Sequence, residues 1–181
     1  MNSSPTGAVV APAASQVASP ATGLAGLATM AVAWMSRIPH SLTALIGRLA
    51  IAGVFWKSGQ TKIEGLQIDI VEGTFQLGLP RLSASAVDLF RDEYQLPLLP
   101  PELGATLAAV GEHALPLLIL LGLGTRFAAL GLLGMTAVIQ VLVYPGAWPT
   151  HGVWAAVLLW LMAQGPGVVS LDHWLARRAA A

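Results

Sequence analysis

An acid and a histidine stand side by side in a segment that is otherwise apolar. Glu112 and His113 fall near the middle of residues 103–124, LGATLAAVGEHALPLLILLGLG, a run long enough to cross a bilayer as a helix. A charged side chain at that depth costs about 2.5–3.5 kcal/mol on insertion scales, so it is expected to face a partner or a cavity. The pair is therefore the first candidate functional site, for ligand binding or proton coupling.

Arg48 is likewise a charged residue within an apolar stretch, residues 41–58, and therefore also needs a partner. If the two stretches form antiparallel helices, Arg48 and Glu112 differ in depth by about one helical turn. The sequence then predicts a buried ion pair between them, because each would otherwise be a lone charge in lipid. Such a pair either fixes the register of the two helices or takes part in function, and the sequence leaves both open.

Further polar residues collect where the predicted helices end on one side of the membrane. Thr136, Gln140 and Tyr144 recur at four-residue spacing, so they form one polar stripe on a helix face. A stripe that leads to such a rim is typical of a site for a polar headgroup, such as a quinone ring. Alternatively, long side chains at helix ends only snorkel to the interface. The rim candidates are Lys57, Gln60, Lys62, Gln140, Tyr144 and His151.

The composition excludes several classes of protein and site. Only 10% of the residues are charged, against about 25% in soluble domains, so lipid must be the solvent for most of the chain. The formal net charge of zero argues against binding to nucleic acid. The absence of cysteine excludes iron–sulfur clusters, thiolate chemistry and disulfides. His113 and His151 lack the spacing of a metal site on one helix, so we predict no metal and treat both as hydrogen-bonded histidines.

These residues need a helical scaffold, and the sequence predicts an all-α membrane protein. Its core is a four-helix transmembrane bundle within residues 41–176, with spans at 41–58, 103–123, 126–144 and 148–164. Residues 64–100 form a small cap outside the membrane. In the cap, apolar alternation around Glu72 and Gly73 predicts a short β-hairpin, and Ser83 caps a helix on which Val87, Phe90 and Tyr94 share a face.

The two ends of the chain lie outside this bundle. Residues 1–21 are rich in Ala, Ser and Pro and predict a disordered tail, whereas residues 22–40 predict an interfacial helix. Residues 177–181 form a basic C-terminal end. The Arg177–Arg178 pair after the last span favours an orientation with both termini in the cytoplasm.

Several motifs, taken in their order along the chain, resemble those of the DoxX family of membrane proteins. RLAIAGVFWKSGQTKIEG, which begins at Arg48, resembles the opening signature of that family. Glu112 matches the acid of its second helix, and Arg126 matches the arginine that opens its third. The resemblance covers about residues 43–174. The segments FWKSGQTKIEG, LFRDEYQLPLLPPEL and YPGAWPTHGVWA are similar to a subgroup that is encoded beside bufferin-type metal-stress proteins.

The resemblance implies a four-helix protein of the bacterial inner membrane, and some relatives are subunits of membrane oxidoreductases. The first hypothesis is therefore an accessory or quinone-linked subunit of a redox or metal-stress system, partnered by the lipid bilayer and an oxidoreductase or metal-stress protein. The second is a small transporter for a metal complex or solute, with Glu112 and His113 as its binding or proton-coupling site. The third is a structural anchor for a soluble partner. Whether the chain is itself an enzyme, which cofactor it uses and its oligomeric state stay open.

Overall fold

The computed structural model describes residues 23–69 and 72–180 as a mainly helical chain. The helices are α1 (Leu24–Met35), α2 (His40–Gln60), α3 (Ala84–Leu89), α4 (Pro101–Leu121), α5 (Thr125–Val138), α6 (Trp148–Gln164) and α7 (Leu171–Ala179). Single π-helical segments follow α3 (Phe90–Tyr94) and α5 (Ile139–Val143), and a 3₁₀ turn (Pro145–Ala147) precedes α6. The strands are β1 (Ile63–Glu64), β2 (Gln67–Asp69), β3 (Thr74–Gln76) and β4 (Arg81–Leu82).

The described residues divide into two units, the first ending at Ile38 and the second beginning at Pro39. Helix α1 belongs to the first unit and buries none of its residues, although nearly all of them are apolar. It falls within the segment predicted as an interfacial helix. The predicted tail, residues 1–21, lies outside the described residues.

In the second unit, helices α2, α4, α5 and α6 share one apolar core. Each of the four contributes fully buried side chains, for example Phe55, Ile119, Leu132 and Leu158. Their outer faces are apolar too, because large aliphatic and aromatic side chains stand exposed along them. A helix that is apolar on all sides suits a lipid environment, since water would penalise the exposed half.

The described residues include two helices that are long and apolar enough to span a membrane, Pro101–Leu121 and Thr125–Val143. The pair Leu24–Met35 and His40–Gln60 adds a third if it is counted as one broken span. The prediction of four spans is therefore confirmed only in part. Helix α2 alone carries too many polar residues, and α6 has only 17 residues.

The cap contains the predicted hairpin and helix. Strand β2 pairs antiparallel with β3, with Ile68 opposite Phe75, and β1 pairs antiparallel with β4. The Ser83 side chain accepts a hydrogen bond from the Ala86 N–H and caps α3. Beyond α3, Phe90 packs against Gly104, where an added Cβ would lie 2.7 Å from the ring. The cap thus folds back against the first turns of α4.

Helices α4 and α5 are joined by a tight turn that needs glycine. Gly122 and Gly124 both adopt left-handed backbone conformations, with φ of 68° and 55°. Helix α7 follows α6 and contains Arg177 and Arg178, so part of the predicted basic end is helical.

Candidate functional site

The predicted ion pair between Arg48 and Glu112 is wrong. Arg48 is buried, and its guanidinium donates to four backbone carbonyls at 2.5–3.1 Å, those of Ile119, Leu120, Pro166 and Val169. Two of these oxygens belong to the last turn of α4, where carbonyls lack a partner within the helix and a cation is favourable. Arg48 therefore stabilises the end of α4 and the α6–α7 connection.

The error comes from the register of α2 and α4. Gly59 packs so closely on α4 that an added Cβ would lie 3.0 Å from the Glu112 carbonyl oxygen, whereas Arg48 reaches the far end of α4. Eleven residues of α2 separate these two contact points, which is about three helical turns. Because the first turns of α2 extend past the end of α4, counting inward from the two helix ends misplaced the charges.

Two further charged residues stabilise helix ends near Arg48. Asp172 accepts hydrogen bonds from the Gly124 and Thr125 backbone N–H groups at 2.7 and 3.0 Å, and it also accepts one from the Thr125 hydroxyl. It therefore caps the N-terminus of α5. Arg126, which the family resemblance singled out, donates to the Met162 and Ala163 carbonyls and caps the end of α6.

Glu112 pairs instead with Lys62, which lies just beyond the end of α2. Lys62 Nζ is 2.7 Å from Glu112 Oε2, and both side chains are less than 5% exposed. The ammonium also donates to the carbonyl and hydroxyl oxygens of Ser58, at 3.3 and 3.1 Å. Among the described residues, Lys62 is the only basic side chain within 4 Å of the carboxylate, and Oε2 accepts no hydrogen bond of regular geometry from them.

Glu112 forms part of the wall of a cavity of about 300 Å³ between α4, α5 and the cap. The described lining residues include only two that ionise, Glu112 and Tyr94. Leu107 and Val138 also line it and are about half exposed, so the cavity opens on the apolar flank of the helices. The remaining lining residues are Phe90, Leu96, Leu99, Gly104, Ala108, Gly134, Met135, Ile139 and Val143. We call this cavity the Glu112 pocket.

Two tyrosines and a second acid stand beside this pocket. Tyr94 and Tyr144 meet edge to face with ring centroids 5.8 Å apart, and the Tyr144 hydroxyl donates to Glu93 Oε1. The hydrogen bond to Glu93 raises the pKa of Tyr144 well above its usual range. Burial, followed by the charge of Glu112, raises the pKa of Tyr94. Both phenols are therefore neutral at physiological pH.

His113 faces away from its neighbour Glu112 and lies on the wall of a different cavity. Its Nδ1 lies 2.7 Å from the Ala109 carbonyl, and its Nε2 lies 2.9 Å from Gln60 Nε2. This pattern assigns a neutral ring with the proton on Nδ1. The side-chain oxygen Oε1 of Gln60 accepts a hydrogen bond from the Ile68 N–H, and the Trp56 indole N–H donates to the Ile68 backbone carbonyl. His113 thus helps to attach the hairpin to α2 and α4.

The other predicted rim residues do not form one site. Lys57 is exposed and lies 3.7 Å from Glu72 in the cap. His151 contacts the Gln140 side chain at 2.8 Å, and Gln140 in turn donates to the Pro145 carbonyl. Only Lys62 and Tyr144 belong to the group around the Glu112 pocket. Among the described residues, no three His, Asp or Glu side chains lie close enough together to hold a metal ion.

Sequence reasoning missed two residues of this site and misplaced a third. Tyr94 was placed correctly on a helix face with Phe90, but nothing in the pattern directed that helix toward α4. Glu93 was not singled out, and Lys62 was assigned to an aqueous rim. A useful signal was available in the count of tyrosines, because the chain has only two and the structure brings them together.

Comparison with known proteins bears on the same segment. A family model described as DoxX matches residues 43–145, which contain Arg48, Lys62, Glu112 and Arg126. No match was found among curated proteins or among solved structures. The match covers more than half of the 181 residues and confirms the resemblance seen in the sequence. The chain therefore belongs to the DoxX family.

Proposed function

We propose that this DoxX-family membrane protein is a quinone-linked accessory subunit of a membrane redox or metal-stress system, with the Glu112 pocket as its quinone site. One observation carries the proposal. A buried carboxylate, paired with a single lysine, forms part of the wall of a cavity that is otherwise almost entirely apolar. Keeping a charge there is costly, and such residues in membrane proteins are usually functional.

The pocket suits a planar ring with polar groups at its edge. Its volume of about 300 Å³ lies at the lower limit for small-molecule sites, which bury an apolar body and orient it with a few polar groups. The Tyr94 hydroxyl can donate to a quinone carbonyl, and Glu112 can accept from a quinol hydroxyl. The opening between Leu107 and Val138 gives an isoprenoid tail an exit to lipid.

The location in the cell is part of the proposal. We place α2 and α6 in the bacterial inner membrane beside α4 and α5, with both termini in the cytoplasm. The exposed apolar side chains of α2 and α6, such as Leu49, Val54, Val153 and Leu159, support four spans. The similarity of several loop segments to the bufferin-associated subgroup supports a partner in metal stress.

The structure gives less support to a transporter that uses Glu112 and His113 together. The two side chains line different cavities, and His113 is held by Gln60 and the Ala109 carbonyl. A shared binding site for a metal complex would require both of them to turn toward one space.

The proposal is tested by measuring quinone in the purified full-length protein. The protein is isolated in mild detergent from a quinone-containing membrane, and bound quinone is extracted and quantified. Ala108→Phe fills the Glu112 pocket, whereas Leu117→Phe alters two neighbouring cavities and serves as the matched control. We expect about a tenfold or greater loss of quinone in Ala108→Phe, equivalent to about 1.4 kcal/mol, and little loss in the control. Equal quinone content in both variants would refute this function.

A further inference from the structure

We propose that Glu112 exchanges protons with the aqueous phase on the cap side through Tyr94, Tyr144 and Glu93. Oxidation of a quinol releases two protons, and that the path carries such protons away from the pocket rests on the proposed function. The path itself is a property of the side chains and does not depend on what occupies the pocket.

The four groups connect a buried position to an exposed one. Glu112 is 2% exposed, Tyr94 is partly buried, and Tyr144 and Glu93 are exposed. Tyr144 donates to Glu93, and the rings of Tyr144 and Tyr94 pack edge to face. Tyr94 then shares the Glu112 pocket with Glu112 itself. The four groups thus lie in order from the exposed Glu93 to the buried Glu112, and the last interval, between Tyr94 and Glu112, is the pocket itself.

No other described side chain offers Glu112 such a route. Lys62 lies against it, but the remaining contacts of that ammonium are to Ser58 in α2, and both lysine and acid are buried. The α5 side of the pocket presents Met135, Val138 and Ile139, which do not ionise. His113 is engaged with Gln60 on the other side of α4. Within the part of the chain that the structure describes, Tyr94 is thus the one other titratable residue that lines the pocket with Glu112.

The chemistry of the path requires no oxidant or further reactant. A phenol can accept a proton on its oxygen while it gives up its own, so each step moves one proton along the series. During release, the proton of Glu112 passes to Tyr94, that of Tyr94 passes to Tyr144, and that of Tyr144 passes along its hydrogen bond to the Glu93 carboxylate. During uptake the same steps run in reverse after the Tyr144 hydroxyl has turned, and the last one carries a proton from Tyr94 across the pocket to Glu112. The last step is direct or uses one water molecule, for which the pocket has room. After the transfer Lys62 keeps its two bonds to Ser58.

The test follows protonation of Glu112 after a rapid pH change in the full-length protein in detergent. Time-resolved infrared spectroscopy detects the carboxyl C=O band, which is assigned to Glu112 by its absence in Glu112→Gln. A positioned proton-transfer group typically contributes about 10²–10⁴-fold to a rate. We therefore expect protonation to slow at least about tenfold in Tyr94→Phe, and to slow also in Tyr144→Phe and Glu93→Gln.

The matched control is Glu102→Gln. Glu102 is an exposed acid at the start of α4 that pairs with Arg91, outside the path, so its loss should leave the rate unchanged. The Tyr94→Phe ring retains its packing on Phe90, and a thermal unfolding scan of each variant checks that the fold survives. Unchanged rates in Tyr94→Phe, or a Glu112 band that never appears, would overturn the path.

Quinone content of the same variants separates the two proposals. If Ala108→Phe loses quinone while Tyr94→Phe protonates at the normal rate, the ligand site stands and the path is wrong. If quinone content is unaffected by Ala108→Phe but protonation slows in Tyr94→Phe, the path stands and the quinone site is wrong.

Discussion

Replacing Lys62 by methionine should be among the most damaging single substitutions in the second unit. The variant leaves the Glu112 carboxylate buried with no cation near it, and breaking a buried pair in this way costs about 3–5 kcal/mol. Glu112→Gln should cost less, about 1–3 kcal/mol, because Lys62 keeps both of its hydrogen bonds to Ser58. The structure thus predicts an asymmetry between the two halves of one ion pair.

The double variant Lys62→Met with Glu112→Leu removes both charges at once. Buried pairs replaced by apolar residues of similar size are often close to neutral in stability. We expect the double variant to cost less than the sum of the single variants Lys62→Met and Glu112→Leu by about 2 kcal/mol or more, which is a strong coupling for two side chains in contact.

Thermal unfolding in detergent measures these differences. For a chain of this length, each kcal/mol shifts Tm by about 2–4 °C, so Lys62→Met should lower Tm by about 6–20 °C. Lys57→Met is the matched control, since it removes the same charge near the same helix end from a pair that is about two-thirds exposed. That surface pair contributes less than about 1 kcal/mol. Equal effects of the two lysine variants, or additive effects in the double variant, would refute the reasoning.

Three further predictions concern the helix ends, the helix packing and the tyrosines. Arg48→Met should destabilise the fold by more than about 3 kcal/mol in the same assay, because four backbone carbonyls, in one buried and three partly buried hydrogen bonds, lose the Arg48 donor. Gly59→Ala should cost about 1–3 kcal/mol by forcing a methyl group against α4, whereas Gly53→Ala on the same helix meets nothing within 4 Å and should be neutral or slightly stabilising. The hydrogen bond to Glu93 raises the pKa of Tyr144, so its stabilisation is present below about pH 10 and is lost as pH rises through the raised pKa. Absorbance titration of the phenolate should show Tyr144 ionising at lower pH in Glu93→Gln, and an unchanged midpoint would contradict this assignment.

The apolar helices and the need of Glu112 for a buried partner were predictable from sequence, because a charge within an apolar run needs a partner wherever the run packs. The identity of that partner was not predictable. It depends on the axial offset between α2 and α4. That offset is set by close packing at Gly59, by the hydrogen bond from Gln60 to His113 and by the one that Gln60 accepts from the Ile68 N–H of the hairpin. No periodicity within a single helix encodes such an offset.

The cap shows the same limit at the level of whole elements. Its hairpin and its capped helix follow from local signals, the alternation around Glu72 and Gly73 and the hydroxyl of Ser83. Its position does not, because it depends on a small apolar cluster in which Ala86 and Phe90 pack against Ala105 and Gly104 of α4. A glycine in a helix is compatible with many neighbours, so the sequence alone could not indicate that the cap closes a pocket over Glu112.

The bonds of Arg48 also constrain the order in which the protein is made. Its acceptors lie 71, 72, 118 and 121 residues further along the chain, so none exists when α2 leaves the ribosome. At about 5–20 residues per second, the last of them follows roughly 6–24 s later. During that interval the guanidinium needs other partners, such as water or lipid phosphate, because burial in hydrocarbon without them is costly. Helix α2 should therefore reach its final place only after the α6–α7 connection has been synthesised, so a helix near the start of the domain is the last to settle in the membrane.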